Sequence, residues 1–141
     1  MVLKQSKVTY QGDEAERCCK LLTYIIVQIL NETDLKNVLN NLNQFECQCP
    51  SVNFLADSLI ENNNPNRNWN WKDKNFRYCP QRAALSPGYI GSYVMDAMAM
   101  ALHILYYTNN FEEGILKGAN LRGDADSLVA IFAKSLALIM V

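Results

Sequence analysis

Tyr93-Val94-Met95-Asp96-Ala97-Met98-Ala99-Met100-Ala101-Leu102-His103-Ile104-Leu105-Tyr106-Tyr107 is the stretch that decides the fold class. Apolar side chains cover it almost all round, so it cannot be an amphipathic surface element. A helix of this kind is buried on most sides by other elements. Met95, Met98 and Met100 are read as adaptable core filler. Thr108-Asn109-Asn110 ends the helix. Phe111–Ala119 follows as a shorter helix, with Phe111, Ile115 and Leu116 expected to face inward. Asn120–Asp126 is then a turn, and Ser127–Met140 a final helix.

Towards the N-terminus the pattern is helical again. Ala15, Cys18, Cys19, Leu22, Ile25, Ile26 and Ile29 recur at helical spacing, giving a helix over about Asp13 to Asn31. Leu35, Val38, Leu39 and Leu42 mark a second helix from Asp34 to about Leu42, capped by Thr33 or Asp34. A third, about Val52–Glu61, follows Pro50. Between the two helical halves lies an irregular region, residues 62–87. It opens with the polar run Asn62-Asn63-Asn64-Pro65-Asn66-Arg67-Asn68, a loop. Trp69-Asn70-Trp71-Lys72-Asp73 is a short strand or an extended loop, and Pro80 and Pro87 keep Phe76–Gly88 irregular. No internal repeat and no strand series is found, so the fold class is all-α in a single domain, residues 1–141.

Composition excludes several functions. The chain has 141 residues, half of them hydrophobic and 19% charged, with 13 basic against 14 acidic residues and a net charge of -1. No basic stripe is available to track phosphates, so nucleic acid is not an expected partner. The apolar runs Leu21–Leu30 and Leu128–Val141 are shorter than the roughly 20 residues of a membrane span, so no membrane partner is expected. The first seven residues lack the apolar core of a signal peptide. Cys18, Cys19, Cys47, Cys49 and Cys79 are odd in number and poorly spaced for a disulfide framework. Cys47-Gln-Cys49 would be half of a zinc site, but no second pair follows at ligand spacing. Reduced thiols suit the cytoplasm or the nucleus.

Chemistry concentrates at Gly123-Asp124-Ala125-Asp126-Ser127. One reading is structural: Asp124 or Asp126 caps the last helix, whose first N–H groups have no partner within the helix. The other is a hard-cation site. Two carboxylates two residues apart, with a hydroxyl beside the second, present three oxygens of the kind magnesium prefers. One turn cannot complete an octahedral shell, so this is at most half of a site.

The context of that turn resembles the ADP-ribosylglycohydrolases. Asn120-Leu121-Arg122-Gly123-Asp124-Ala125-Asp126-Ser127 is similar to the family's Asn-Leu-Gly-Gly-Asp-x-Asp-Thr/Ser. Pro87-Gly88-Tyr89-Ile90-Gly91-Ser92-Tyr93-Val94-Met95-Asp96-Ala97 resembles its Gly-Ser-Tyr-Val-Val-Asp stretch. Thr108–Leu116 resembles its Thr-x-Ser-Phe-Glu-Glu-Ala-Ile spacer. The order and spacing of these pieces agree over residues 87–137. The resemblance implies an orthogonal helical bundle with a dinuclear magnesium centre, manganese being the substitute. It implies hydrolysis of the link between ADP-ribose and a protein side chain, or of a related ADP-ribosyl compound. Asp124, Asp126 and Ser127 would then be metal ligands. Gly91, Ser92 and Tyr93 would approach the ribose or adenine.

This sequence also departs from the pattern. The family's Gly-Asp-Ala-x-Gly and Thr-Asp-Asp segments, which hold its other metal-binding half, are not found. The glycine-rich run expected after the last helix start reads Ile131-Phe132-Ala133-Lys134-Ser135-Leu136-Ala137. The chain is therefore expected to be a partial domain. The alternative to a hydrolase is a truncated, non-catalytic or structural member; a generic helical interaction module stands behind both. Asp96 is a structural acid or lines the site. Trp69 and Trp71 pack beneath the asparagine-rich loop or stack on adenine. His103, in mid-helix, is read as a packing residue rather than a base.

Overall fold

The structure is a computed structural model that describes residues 12–31, 33–59, 69–76, 89–90, 94–123, 129–130 and 133. Within them are five α-helices: α1 (Asp13–Leu30), α2 (Leu35–Asn40), α3 (Pro50–Ala56), α4 (Val94–Tyr107) and α5 (Phe111–Ala119). A 3₁₀ turn spans Leu42–Gln44, and two two-residue strands, β1 (Tyr89–Ile90) and β2 (Arg122–Gly123), pair with each other. The all-α class expected from the sequence is what these residues form. Positions 129, 130 and 133 are helical; the rest of the expected final helix lies outside the described residues.

Helix α4 is the centre. Ten of its side chains, from Met95 to Leu102 together with Ile104 and Leu105, are buried. Helices α1, α2, α3 and α5 all pack on it, and α1 also packs on α2 and α3. One face of α1, carrying Cys18, Leu21, Ile25 and Ile29, is buried in the same core as Met95, Met98 and Leu102. Asp13, Glu14 and Glu16 stand in the first turn of α1, where the helix dipole favours negative charge.

Capping chemistry sets the short helices. Asp34 caps α2 by accepting hydrogen bonds from the backbone N–H groups of Lys36 and Asn37, at 3.1 and 3.3 Å. This selects Asp34 over Thr33. The third helix starts earlier than expected, with Pro50 in its first turn, where a missing N–H costs nothing. It also ends earlier, at Ala56. Ser58 adopts a left-handed conformation, φ 58°. Its N–H bonds the carbonyl of Leu55 at 3.1 Å, and the Leu59 N–H bonds that of Phe54 at 3.0 Å. That is a Schellman stop with serine where glycine is usual. The unfavourable φ is offset by the serine hydroxyl. It accepts the Lys72 N–H at 2.9 Å and donates to Asn70 Oδ1 at 3.2 Å, fastening residues 69–76 to the end of α3.

Residues 69–76 form turns, not a strand. Trp69 and Trp71 are both 0% exposed. The Trp71 indole donates to the Leu55 carbonyl at 2.6 Å, and its ring meets Tyr106 edge-on at 5.6 Å. Neither ring has an open face, so the adenine-stacking alternative is set aside in favour of packing. The remainder of the 62–87 region lies outside the described residues, as does Cys79.

Helix α5 corrects the sequence reading. Phe111 is 36% exposed and Leu116 55% exposed, so neither faces in; Ile115 is partly buried against the core. The buried positions are Gly114 and Gly118, one helical turn apart. Without Cβ atoms they leave room for close packing of α5, which lies against α4 with Ile115 on the core. Gly118→Val should therefore destabilise the protein by about 1–3 kcal/mol through overpacking. Leu116→Ala should stay within about 0.5 kcal/mol of wild type. Urea denaturation of both variants checks the pair, and the reverse order would mean that α5 packs as the sequence pattern suggested.

Candidate functional site

The site is framed by the β1–β2 ladder. Tyr89 pairs with Arg122 and Ile90 with Gly123, in parallel. Adjacent strands run about 5 Å apart, and in a parallel pair both chains leave at the same end. The residue following β1 is Gly91, and the residue following β2 is Asp124. The backbone immediately ahead of each sequence-predicted segment is thus side by side, although paired positions are 33 residues apart in sequence, and both chains run the same way. Gly91, Ser92, Tyr93, Asp124, Asp126 and Ser127 themselves lie outside the described residues. The sequence pattern assigns no element to Tyr89–Ile90 and a turn to Arg122–Gly123. Two-residue strands leave no alternation to detect.

Helix α4 begins three residues after β1 ends, and its first turn carries Asp96. Asp96 is 1% exposed. A carboxylate held out of water near a helix N-terminus gains from the positive end of the dipole. In sequence this buried acid follows the Gly91–Tyr93 segment by three residues. Cys18 of α1 lies against the same turn, its Sγ 3.5 Å from Met95 Sδ.

The cysteines within the described residues, Cys18, Cys19, Cys47 and Cys49, are all free thiols. Among the described residues there is no group of three or more His, Cys, Asp or Glu side chains arranged to hold a metal ion. Cys47 is fixed by Asn53, which accepts from the Cys47 N–H at 2.9 Å and donates to its carbonyl at 2.8 Å. Burial pushes the Cys18 thiol far above its usual 9.0, with the neighbouring thiols and Glu14 adding to the effect. Burial also raises Cys49.

His103 packs, with its ring between Phe76 and Tyr107 at centroid distances of 5.4 and 4.9 Å. Its Nδ1 lies 2.8 Å from the Trp71 carbonyl. A carbonyl can only accept, so Nδ1 carries the hydrogen. A cavity of about 510 Å³ opens between α1 and residues 44–46, lined by Lys20, Tyr24, Val27 and Phe45 among others. None of its lining belongs to α4 or the ladder, so it is a separate feature. No helix among the described residues is long and apolar enough to cross a membrane.

With this geometry in view, the comparisons with known proteins are direct. The sequence pattern of the ADP-ribosylglycohydrolase family matches residues 1–139, and the chain belongs to that family. It is 32% identical over 126 residues to a protein of Pseudomonas putida (strain GB-1) named ADP-ribosylarginine hydrolase Tri1. The matched region is 89% of this chain and 28% of that relative. No solved structure matches.

The thiol environment has a consequence for stability. In the unfolded chain the cysteines ionise around 9.0, whereas folded Cys18 keeps its proton well above that. Above that value the folded state binds more protons than the unfolded state, so stability falls as pH rises. The expected loss between pH 7.5 and pH 10 is on the order of 1 kcal/mol for Cys18. Denaturation of wild type and Cys18→Ala across that range should show a flatter decline for the variant, whatever its starting stability; parallel declines would refute the assignment.

Proposed function

We propose that this chain serves the hydrolysis of ADP-ribosyl groups, with ADP-ribosylarginine on a protein as the first substrate to test. Family membership and the name of the Pseudomonas putida relative support the reaction class and the arginine linkage. Because the matched region is 28% of that relative, the activity of a whole enzyme is part of the proposal. The observation that carries the reading is the parallel pairing of Tyr89–Ile90 with Arg122–Gly123. It lets a ribose-contacting segment at Gly91–Tyr93 and an acidic turn at Asp124–Ser127 act on one ligand.

The donor set of that turn fits a hard cation: Asp124 and Asp126 offer carboxylate oxygens and Ser127 a hydroxyl, the ligand chemistry of magnesium. These three residues would hold the ion, and manganese would substitute. When bound, the metal lowers the pKa of a coordinated water and orients ribose hydroxyls. The residues of the chain do the rest. Gly91, lacking a Cβ, leaves room for close approach of the sugar, with Ser92 and Tyr93 beside it. In the reaction, water oxygen bonds to the anomeric carbon, the bond to the guanidinium nitrogen breaks, and a carboxylate takes the water proton. The products are ADP-ribose and the free arginine side chain. The substrate is an ADP-ribosylated protein or an ADP-ribosyl small molecule met in the cytoplasm or nucleus.

A second reading, a non-catalytic member, draws support from the sequence, which contains no Thr-Asp-Asp or Gly-Asp-Ala-x-Gly segment. Calorimetry with ADP-ribose, with and without magnesium, and chromatographic detection of ADP-ribose released from an ADP-ribosylated arginine peptide decide between them. The hydrolase reading expects magnesium-dependent binding, release of ADP-ribose, and at least a tenfold loss of binding in Asp126→Asn. Binding without release supports the non-catalytic reading. Unchanged binding in Asp126→Asn would leave Asp126 as a helix cap alone.

A further inference from the structure

The last four carbonyls of an α-helix have no partner within it. At the C-terminus of α4 most of them are accounted for. Ile104 accepts from the Thr108 hydroxyl at 2.7 Å. Leu105 accepts from the Lys36 ammonium at 2.9 Å, and Tyr106 accepts from the same ammonium. Lys36 also donates to the Thr108 carbonyl at 3.2 Å, one residue beyond the helix. Its charge lies 5.6 Å from the centre of the Tyr106 ring. The last turn of α4 has no basic residue of its own. The cation that complements its negative end is therefore supplied from α2, an element 69 residues away in sequence. Desolvation there lowers the Lys36 pKa from 10.5.

This cation sits at a tight corner. Three residues separate α4 from α5, and the third, Asn110, caps α5 by accepting the Glu113 N–H at 2.8 Å. From the corner α5 packs on α4, with Gly114 and Gly118 buried. Leu121 closes its end by bonding the Gly118 carbonyl at 3.2 Å, and β2 follows. The chain thus makes a loop: β1, α4, corner, α5, β2, closed by the ladder. The corner is at the far end of α4, about 20 Å from its start. A tilt of about 10° there would move the end of the roughly 13 Å α5 by about 2 Å. Misplacement of 1 Å is enough to cost an active site about a hundredfold.

We infer that Lys36 is a positioning residue: by tying the α4–α5 corner through three carbonyls it fixes where β2 stands relative to β1, and so serves the proposed site. The last link rests on the functional reading above; the tie between Lys36 and β2 does not.

Hydrogen exchange followed by mass spectrometry on the full chain tests the tie without any ligand. Lys36→Met keeps the apolar stem and removes the donors. It should raise exchange rates at residues 108–123 at least tenfold while the core face of α1 stays protected. Lys36→Arg, which retains donors and charge, should restore most of the protection. Asn40→Ala is the control. It removes the 3.1 Å bond from the Tyr106 hydroxyl to Asn40, loosening α2 without uncapping the corner. It should leave residues 108–123 protected. Exchange confined to residues 33–41 in Lys36→Met, or equal opening of residues 108–123 in Asn40→Ala, would overturn the inference. Magnesium titration of the same proteins supplies the second readout. If wild type binds the ion, Lys36→Met should bind it at least tenfold more weakly and Lys36→Arg near normally. If wild type binds none, the functional reading fails, and the exchange result alone decides on Lys36.

Discussion

Burial of α4 is the constraint on which the other elements depend. A helix apolar on nearly every side has no stable surface position, so each neighbour is placed by the need to cover it. Helix α1 covers one side with Cys18, Leu21 and Ile25, and α2 and α3 add Leu39 and Leu55. On the side taken by α5, Gly114 and Gly118 are buried and Ile115 packs on the core. Burial of this kind also constrains the polar groups inside. Asp96 and Thr108 lie at the two ends of α4 and are both buried. The first stands beside the candidate site, and the second closes the helix by bonding its own last turn.

The cover is directional, and this is what frames a site. β1 precedes α4 and β2 follows α5, and the two strands pair in parallel while α5 packs on α4. The two-residue ladder follows from that path. It needs no strand propensity, since the helices have already brought the two backbones together. The N-terminal end of α4 therefore carries the buried Asp96 and follows the strand of the ladder that precedes it. The C-terminal end gathers the cation and the aromatic side chains Trp71, His103, Tyr106 and Tyr107.

Much of this was legible in the residues. The bounds of α1 and α4 came within a residue or so because their apolar spacing is unbroken over many turns. The capping role of Asp34 was one of two options that the sequence left open. What could not be read had local causes. Helix α3 stops early because Ser58 takes a left-handed φ, a conformation more common for glycine or asparagine. Helix α5 turns its glycines inward, which a count of apolar residues scores backwards. The role of Lys36 has no sequence signal, because nothing in sequence links it to carbonyls about 70 positions away. The family resemblance, by contrast, was carried by residues 87–137, and the family match extends it to residues 1–139.

The same arrangement explains why the scaffold and the chemistry can vary separately in this chain. The core that sets the α4–α5 loop is made of α1, α2 and α3 together with the tryptophans of residues 69–76, and none of these depends on a bound ion for its contacts. A member of the family without the Thr-Asp-Asp and Gly-Asp-Ala-x-Gly segments can therefore still hold the ladder closed. A helix cap in the Asp124–Ser127 segment would need one acid. Two carboxylates and a hydroxyl in four residues exceed what a cap requires. That surplus of oxygen donors, in the sequence that follows β2 while the partner strand leads to Gly91, is what the proposed ligand site rests on.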